Sequence, residues 1–330
     1  MASENENLSG EDRLIARYFK PLAAAAGALA LDDDAAILKA PPGCDLVLTT
    51  DAMVGGIHFF DDDDPRAVAQ KSLRVNLSDL AAKGAKPLGY LLSLALPRSV
   101  DENWLAGFSA GLQADADEFG CSLFGGDTVR TTGPLTISVA MFGVVPEGAM
   151  VRRAGAKPGD VVMVTGTIGD AALGLQLRNG GNWELSSAQR EHLLARYLMP
   201  QPRNRLADGI RACASAAMDV SDGLAGDLRK LARASGVAAE VEAAKVPLSG
   251  TARAALTRHP ELLETVLTGG DDYEIVCTVA PAKVEMLHAA ARAAGIPLTA
   301  IGKVAAGEGV RFTAPDGRPL VFSSSSFSHF

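Results

Sequence analysis

The chain has 330 residues, a formal net charge of −8 and a hydrophobic content of 48%. One hydrophobic core rarely serves more than about 250–300 residues, so two domains are predicted. The negative charge excludes a nucleic-acid scaffold, because phosphate backbones are bound by basic surfaces. The acidic N-terminus does not resemble a secretory signal, and no apolar run approaches the roughly twenty residues that span a bilayer. We therefore predict a cytoplasmic protein without membrane or nucleic-acid partners.

Strands and helices alternate through the first half of the chain. An apolar, β-branched stretch predicts a strand over 45–51, and Asp64-Pro65 then supplies an N-cap and a first helical residue. That helix continues as far as the loop 84–87. The next predicted elements are a strand over 88–96, a helix over 102–119 that ends at Gly120, a short strand over 121–124 and a strand over 135–145.

A loop-rich stretch over 146–159 marks the predicted boundary between domains 1–148 and 149–330. Beyond it, strands are predicted over 161–165, 238–241, 273–279 and 298–301, and helices after 166–170 and over 188–197, 203–214, 223–234 and 282–294. Alternating elements of this kind predict an α/β or α+β protein with mixed sheets. The four cysteines are widely spaced without a C-x-x-C pair, so we expect reduced, mostly buried thiols.

Acidic residues recur beside Ser, Thr and Gly near the ends of these elements. The clusters are Asp32-Asp33-Asp34, Thr49-Thr50-Asp51, Asn76-Leu77-Ser78-Asp79, Gly125-Gly126-Asp127, Asp219-Val220-Ser221-Asp222-Gly223 and Gly269-Gly270-Asp271-Asp272. Carboxylates and hydroxyls on tight backbone are hard oxygen ligands, which favours Mg²⁺ carrying phosphate over a general base. Two carboxylates about 4 Å apart repel by roughly 4 kcal/mol at an effective dielectric near 20, so converging clusters require cations.

Each cluster also has a purely structural interpretation. Thr49–Asp51 could be a polar strand end, Gly125–Asp127 a plain turn, and Ser221 or Asp222 a helix N-cap. Asp79 could pair with Lys71 or Lys83, and a lone His58 is more often structural than functional. Two further acidic groups are predicted to be structural: 61–64 as a solvated run ending in a helix cap, and Asp115 with Asp117 on a helix's outer face.

In their joint order, these stretches resemble the thiamine-monophosphate kinase family, whose superfamily includes aminoimidazole ribonucleotide synthetase, selenophosphate synthetase and a hydrogenase-maturation protein. The resemblance also covers Gly56-Ile57-His58-Phe59, the loop Arg153–Asp160 and the terminal His329-Phe330, and it spans nearly the whole chain. No P-loop and no protein-kinase motif is present. Metal ions rather than a P-loop lysine would therefore neutralise the phosphates.

The resemblance implies an N-terminal domain whose sheet builds a barrel with a second subunit, and a C-terminal α/β domain. It implies ATP, several Mg²⁺ ions, and transfer of the γ-phosphoryl group to thiamine monophosphate, in a homodimer. The implied metal ligands are Asp34, Thr49, Thr50, Asp51, Asp79, Asp127, Asp219 and Asp222, and Asp51, Asp79, Asp127 and Asp222 would be catalytic. The implied ATP contacts are Gly126, Asp127, Arg153 and Ser221, and the implied substrate contacts are His58, Asp271 and Phe327.

Three departures from the family's pattern concern the loops and the substrate. Asp32 replaces the usual Gly before the paired Asp, and Asp271 replaces the usual Glu. Phe327 stands where an aromatic residue, commonly Trp, is expected; Phe keeps a π-face but has less area and no N–H.

Other functions are weighed against this one. No Cys precedes Cys44 and the chain does not end in Cys, which argues against selenophosphate synthetase and the hydrogenase-maturation enzyme. Aminoimidazole ribonucleotide synthesis stays open, as does a nucleotide-binding module without turnover. A third alternative is an interaction protein whose acidic residues only confer solubility.

Overall fold

The computed structural model of the protein describes residues 10–314 and 316–323. Phe327 and the terminal His329-Phe330, named above from the sequence, lie outside these residues. The chain divides into two compact units: unit 1 is the chain up to Leu77 with Lys86–Gly148, and unit 2 is Ser78–Ala85 with the chain from Ala149 onward. The mixed α/β class with two mixed sheets, predicted from the sequence, is confirmed.

Unit 1 is built on a four-stranded sheet in the order β1-β4-β2-β3. Its strands are β1 (Cys44–Val54), β2 (Lys86–Leu96), β3 (Ser122–Arg130) and β4 (Thr136–Pro146). β4 is antiparallel to both of its neighbours, whereas β2 and β3 are parallel. Strands β1 and β3 are therefore the two edges of the sheet.

The helices of unit 1 begin and end where the sequence supplies caps. They are the short α1 (Gly10–Leu14), α2 (Pro65–Ala82), which ends in unit 2, and α3 (Glu102–Phe119); irregular helical turns cover Ile15–Phe19, Lys20–Leu22 and Ala26–Leu31. Asp101 caps α3 by accepting the Trp104 N–H at 2.8 Å, and Gly120 closes it with φ of 68°. The predicted bounds of α3 are confirmed.

Asp115 is buried inside unit 1, so the prediction that it lies on an outer helix face is wrong. Arg74 on α2 grips its two carboxylate oxygens at 2.7 and 2.8 Å, and the Gln70 amide donates to it at 2.7 Å. The partners lie more than forty residues earlier in the chain, so local sequence could not reveal them. Asp117 is exposed, as predicted.

Unit 2 is built on a seven-stranded sheet in the order β11-β10-β7-β9-β5-β8-β6. Its strands are β5 (Val161–Thr165), β6 (Ala214–Val220), β7 (Ala238–Glu242), β8 (Glu274–Val279), β9 (Leu298–Ala305), β10 (Gly309–Thr313) and β11 (Pro319–Leu320). Only the β7–β10 pair is parallel among these. Strand β8, between β5 and the edge strand β6, is buried along its whole length, including its polar residues Glu274 and Thr278.

Seven helices in the described part of unit 2 pack around this sheet. They are α4 (Asp170–Arg178), α5 (Ser187–Leu198), α6 (Ala207–Cys213), α7 (Leu224–Ser235), α8 (Gly250–Arg258), α9 (Leu262–Thr268) and α10 (Val284–Ala294), with 3-10 turns at Asn204–Leu206, Ala243–Lys245 and Pro281–Lys283. The cysteines are free, and Cys121, Cys213 and Cys277 are buried, as predicted.

Candidate active site

A cavity of about 780 Å³ in unit 1 brings together three of the residues selected from the sequence. Asp34 lies in its wall with Gly126 and Asp127 of the edge strand β3. The remaining polar groups in the wall are Asp33, Ser93 and Thr128, and most of the other lining residues are apolar. The cavity thus combines carboxylate and hydroxyl oxygens with an apolar wall, an arrangement typical of small-molecule sites.

The Gly125–Asp127 motif lies inside β3, so the predicted turn after a short strand is wrong. A Cβ added to Gly126 would lie 1.7 Å from the Leu92 carbonyl oxygen, which excludes any side chain there. The missing side chain lets the edge strand pair closely with β2. Apolar residues before the glycines and a β-branched pair after them explain why the strand continues through Asp127.

The Thr49–Asp51 motif lies on the opposite edge of the same sheet. Across the sheet, Asp127 aligns with Ser93, Ser138 and then Ala52, the residue after Asp51. Neighbouring strands lie about 4.8 Å apart, so three spacings separate the two edges by about 14 Å of backbone. The hydroxyl of Thr50 donates to the Val139 carbonyl at 3.0 Å. β1 and β3 thus present their acidic residues from separate edges of the sheet.

His58 holds the turn that follows β1. Its Nδ1 accepts the Val54 N–H at 3.0 Å, and its carbonyl accepts from the buried Lys71 ammonium at 3.0 Å. With Nδ1 as the acceptor, the proton of the neutral ring lies on Nε2. Asp32, which replaces the family's usual Gly, forms an ion pair: the Lys20 ammonium lies 2.5 Å from its carboxylate.

In unit 2, the backbone of Ala217 on β6 is a junction between two loops. Its N–H donates to the Arg152 carbonyl at 3.0 Å, and its own carbonyl accepts from the Lys83 ammonium at 2.9 Å. The pKa of Lys83 is lowered, mainly because its ammonium is buried. The charges of Asp219 and Asp79 act to raise the pKa, and the charge of Arg153 acts to lower it. These effects require the three charged groups to lie near the Lys83 ammonium. Asp79, Arg153 and Asp219 thus share one neighbour, the Lys83 ammonium.

The loop Ser221-Asp222 after β6 is fixed by a residue that the sequence reasoning missed. The buried Asp227, in the first turn of α7, accepts both loop N–H groups, at 3.0 Å from Ser221 and 2.9 Å from Asp222. Lys230 then bridges the carboxylates of Asp222 and Asp227. Neither Ser221 nor Asp222 caps α7, whose N-cap residue is Gly223 without a side-chain hydrogen bond; Asp227, in the first helical turn, instead holds the loop before the helix.

The Asp271 turn before β8 adopts a strained backbone. Asp271 and Tyr273 have φ of 73° and 50°, values that non-glycine residues rarely adopt. Two hydrogen bonds hold the turn against the preceding loop: Asp271 N–H to the Ser221 carbonyl at 2.9 Å, and Tyr273 N–H to the Val220 carbonyl at 2.8 Å. The Tyr273 hydroxyl lies 3.4 Å from the Asp271 carboxylate.

Glu274, next to this turn, is the fully buried centre of an ionic cluster that the sequence did not reveal. Arg203 grips it with two N–H groups, one of them at 2.6 Å, and Arg196 donates at 3.1 Å. Arg196 also donates to the Asp272 carbonyl at 3.4 Å, and Thr165 adds a hydroxyl at 2.7 Å. Burial acts to lower the pKa of Arg203, but the hydrogen bond and charge of Glu274 outweigh it and raise the pKa.

Asp272 lies between the two strained residues and is buried. Its Oδ2 accepts the Gly169 N–H at 2.7 Å, whereas its Oδ1 has no hydrogen-bond partner among the described residues. Burial raises the pKa of Asp272 well above its usual range, against the lowering by the Gly169 N–H and Arg196. The carboxyl is therefore held in its neutral form to a higher pH than in the unfolded chain.

Replacing Asp272 with Asn is expected to stabilise the protein increasingly as the pH rises. A carboxyl with a raised folded-state pKa destabilises the fold progressively as the pH climbs above the unfolded value of about 4 towards the folded one. Asn cannot ionise and keeps an oxygen for the Gly169 N–H. Thermal melts of Asp272→Asn and the parent between pH 5 and 9 measure this effect. A difference in melting temperature that does not change with pH would contradict it.

No group of three or more His, Cys, Asp or Glu side chains is placed to hold a metal ion within residues 10–314 and 316–323. The predicted acidic residues instead form smaller sets: Asp34 with Asp127 in unit 1, and Asp79 with Asp219 in unit 2. All of their side-chain donors are oxygens, which suits Mg²⁺. No helix in the described residues is long and apolar enough to cross a membrane.

Comparisons with known proteins identify the class to which this two-unit fold belongs. The model of the AIR synthase related protein N-terminal domain matches residues 32–145, and that of the C-terminal domain matches residues 157–314. A structure of the hydrogenase maturation protein HypE in complex with ATP, 21% identical with a TM-score of 0.77, shares the fold. The chain is therefore a two-domain protein of the AIR synthase related class.

More similar proteins are thiamine-monophosphate kinases. The Caulobacter vibrioides enzyme is 47% identical over 90% of this chain and 84% of its own. The crystal structure of the Stenotrophomonas maltophilia enzyme is 41% identical, with a TM-score of 0.82, covering 94% of this chain and 96% of that one. AaThiL complexed with AMPPCP and TMP is 32% identical, with a TM-score of 0.78, covering 90% and 91%. The chain belongs to the thiamine-monophosphate kinase family, as the motifs predicted.

Proposed function

We propose that this protein transfers the γ-phosphoryl group of ATP to the phosphate of thiamine monophosphate, giving thiamine diphosphate and ADP. The observation that carries this proposal is the similarity over most of the chain to AaThiL complexed with AMPPCP and TMP. The acceptor phosphate is already an anion at neutral pH, so its attack requires no general base. Positioning and charge neutralisation then supply the rate.

Mg²⁺ is the metal that these donors suit, and we include it in the proposal. Several such ions would be held within each unit: by Asp34, Thr49, Thr50, Asp51 and Asp127 in unit 1, and by Asp79, Asp219 and Asp222 in unit 2. Bound there, it would neutralise charge on the phosphates of both substrates. In the structure the Asp222 carboxylate is paired with Lys230, so Asp222 would have to share its oxygens between that lysine and a metal.

The protein's own residues would position the two substrates. Gly126, in the β3 wall of the cavity, would contact the nucleotide in unit 1, and the Arg153 guanidinium and the Ser221 hydroxyl would do so in unit 2. The resemblance assigns His58 in unit 1, Asp271 in unit 2 and the aromatic Phe327 to thiamine monophosphate. The strained Asp271 turn, held by Glu274 and Arg196, would fix the direction of that carboxylate.

The decisive experiment measures thiamine diphosphate and ADP formation by the purified chain, with ATP, Mg²⁺ and thiamine monophosphate. Formylglycinamidine ribonucleotide in place of thiamine monophosphate serves as the control acceptor, since it is the substrate of aminoimidazole ribonucleotide synthetase. ADP release that depends on the ribonucleotide and not on thiamine monophosphate would overturn the assignment. If the chain binds nucleotide but forms neither product, the protein is a nucleotide-binding module without catalytic activity.

We also propose that the protein is a homodimer joined through one face of the unit 1 sheet. Leu46 and Leu48 on β1 alternate onto the same face as Leu91 on β2; the three side chains are 36%, 67% and 37% exposed, and they also line the 780 Å³ cavity, so the proposed interface includes its apolar wall. A contiguous exposed apolar face on a sheet marks an interaction surface. A second copy is the occupant favoured by the family resemblance, and a twofold axis would let the same face meet itself.

Replacing Leu48 with Asp is expected to convert the dimer into a monomer, because a carboxylate would be buried without a partner at the centre of that face. Light scattering coupled to size-exclusion chromatography measures the mass. Met286→Asp, at a side chain that is 49% exposed on α10 in unit 2, is the matched control and should leave the mass unchanged. A parent protein that is monomeric at micromolar concentration would contradict the proposal.

A further inference from the structure

The last turn of α2 leads to a lysine to which neither the motifs nor the resemblance gives a role. Lys83 follows Asp79 by four residues, and its backbone N–H donates to the Asp79 carbonyl at 3.0 Å. The helical path therefore continues to Lys83, and side chains four residues apart on a helix are neighbours. Both residues belong to unit 2, as do Arg153 and Asp219.

The Lys83 ammonium is fixed in place but has spare donors. It donates to the Ala217 carbonyl at 2.9 Å, two residues before Asp219 on β6. That is its only hydrogen bond to the part of the chain that the structure describes. An ammonium has three N–H donors, so two remain for a ligand.

The Lys83 ammonium lies near one cationic side chain, that of Arg153, and near the carboxylates of Asp219 and Asp79. Neither Lys83 nor Arg153 forms an ion pair with any carboxylate among the described residues. Arg152, next to Arg153, is tied to the same Ala217 peptide that holds the Lys83 ammonium. The repulsion by Arg153 and the attraction by Asp219 and Asp79 all act on Lys83. The two carboxylates offset the repulsion between the cations, and the free Lys83 donors are available to a phosphate oxygen without breaking an ion pair.

We propose that Lys83 is a further phosphate-binding residue, whose ammonium donates to a phosphate oxygen beside Arg153. The inference rests on the proposed function, because the phosphate belongs to ATP or to thiamine monophosphate. An ammonium on a flexible stem binds phosphate as a point charge, complementing the planar fork of an arginine. The chain lacks a P-loop lysine, and Lys83 supplies that charge from the end of a helix instead.

Replacing Lys83 with Met tests the proposal, because Met keeps the length of the side chain and removes the charge. Calorimetric titration of the full chain with AMPPCP in Mg²⁺ should show binding weakened by about tenfold to a hundredfold, the usual effect of losing a charge-assisted hydrogen bond. Lys83→Arg keeps the cation and should recover most of the affinity. The matched control is Lys283→Met, since the Lys283 ammonium also donates to a backbone carbonyl, that of Ala212, at 2.9 Å.

A parallel titration with thiamine monophosphate assigns the phosphate to its source. Loss of affinity for AMPPCP places Lys83 at the nucleotide, and loss only for thiamine monophosphate places it at the acceptor. The proposal is overturned if Lys83→Met binds AMPPCP and thiamine monophosphate as the parent does. It is also overturned if the variant only binds Mg²⁺ more tightly, because Lys83 is then just a counter-ion to Asp79 and Asp219. If Lys83→Met does not fold, equal affinities for Lys83→Gln and Lys83→Arg overturn it.

The same samples separate this inference from the proposed function. A parent chain that forms no thiamine diphosphate refutes the proposed function. The inference then still stands if Lys83→Met loses affinity for AMPPCP. Conversely, an active parent whose Lys83→Met variant binds both ligands normally refutes only the inference.

Discussion

Asp219→Asn is expected to lower kcat for thiamine diphosphate formation by about a hundredfold to a thousandfold, the range for losing one preorganised electrostatic group. Asp219 is only 6% exposed, and it lies near the Lys83 ammonium with Asp79. Asn preserves the shape of the side chain but removes the negative charge that a cation requires. Steady-state kinetics at several Mg²⁺ concentrations measure the loss, and part of it should be recovered at high Mg²⁺.

Asp208→Asn is the control for this experiment, because Asp208 is an 88% exposed carboxylate of the same unit, paired with Arg211. Its kinetics should match those of the parent. Thermal melts of both variants verify that each is folded. Near-normal turnover by a folded Asp219→Asn protein would remove Asp219 from the proposed metal ligands.

Glu274→Gln is expected to destabilise the protein by about 3–5 kcal/mol, since breaking a buried ion pair leaves the partner charges uncompensated. Two guanidinium groups, those of Arg203 and Arg196, converge on this one fully buried carboxylate. Glutamine still accepts the Thr165 hydroxyl, so the loss reports the charge more than the shape. Urea unfolding at pH 7 gives the free energy of unfolding.

The matched control here is Glu240→Gln. Glu240 forms an ion pair with Lys303 across neighbouring strands of the same sheet, but both side chains are exposed to solvent, at 42% and 68%. Exposed pairs of this kind contribute about 0–1 kcal/mol. Equal losses for the two variants would show that burial does not set the strength of the Glu274 cluster.

The sequence predicted best those elements whose ends are marked by local chemistry. Helix α3 begins after the Asp101 cap and ends at Gly120, and β5 has its predicted bounds, because short-range patterns determine such limits. The Asp64 cap and Pro65 likewise begin α2 as predicted. The mixed α/β class followed from these local signals, but the helices α8 and α9 and the strands β10 and β11 were not predicted.

Features set by distant contacts were not predicted. The strand through Gly126 depends on pairing with Leu92 on β2, and the burial of Asp115 depends on Arg74 on another helix. Glu274 follows the acidic motif 269–272 by two residues, and its arginine partners lie 78 and 71 residues away in sequence. The order of the motifs indicated candidate functional residues, but it did not distinguish them from residues that stabilise the fold.

For the candidate site, the sequence selected residues without their spatial grouping. Asp34 and Asp127 share one cavity, and Asp79 and Asp219 flank one ammonium, but neither grouping is visible in the spacing of the motifs. Lys83 was considered only as a partner for Asp79. Its relation to Arg153 and Asp219 depends on how β6 pairs and where the Arg152 loop returns, which are properties of the folded chain.

The backbone of Ala217 joins the Lys83 ammonium to the Arg152 loop: its carbonyl oxygen accepts from Lys83, and its N–H donates to Arg152. Any residue except proline that is small enough for that interior position would offer the same two atoms. A substitution at position 217 therefore need not disturb these two hydrogen bonds, and an alanine at this position in a relative does not show that they are present. Relatives that preserve this linkage will therefore be recognised by superposing their backbones and not by comparing their sequences.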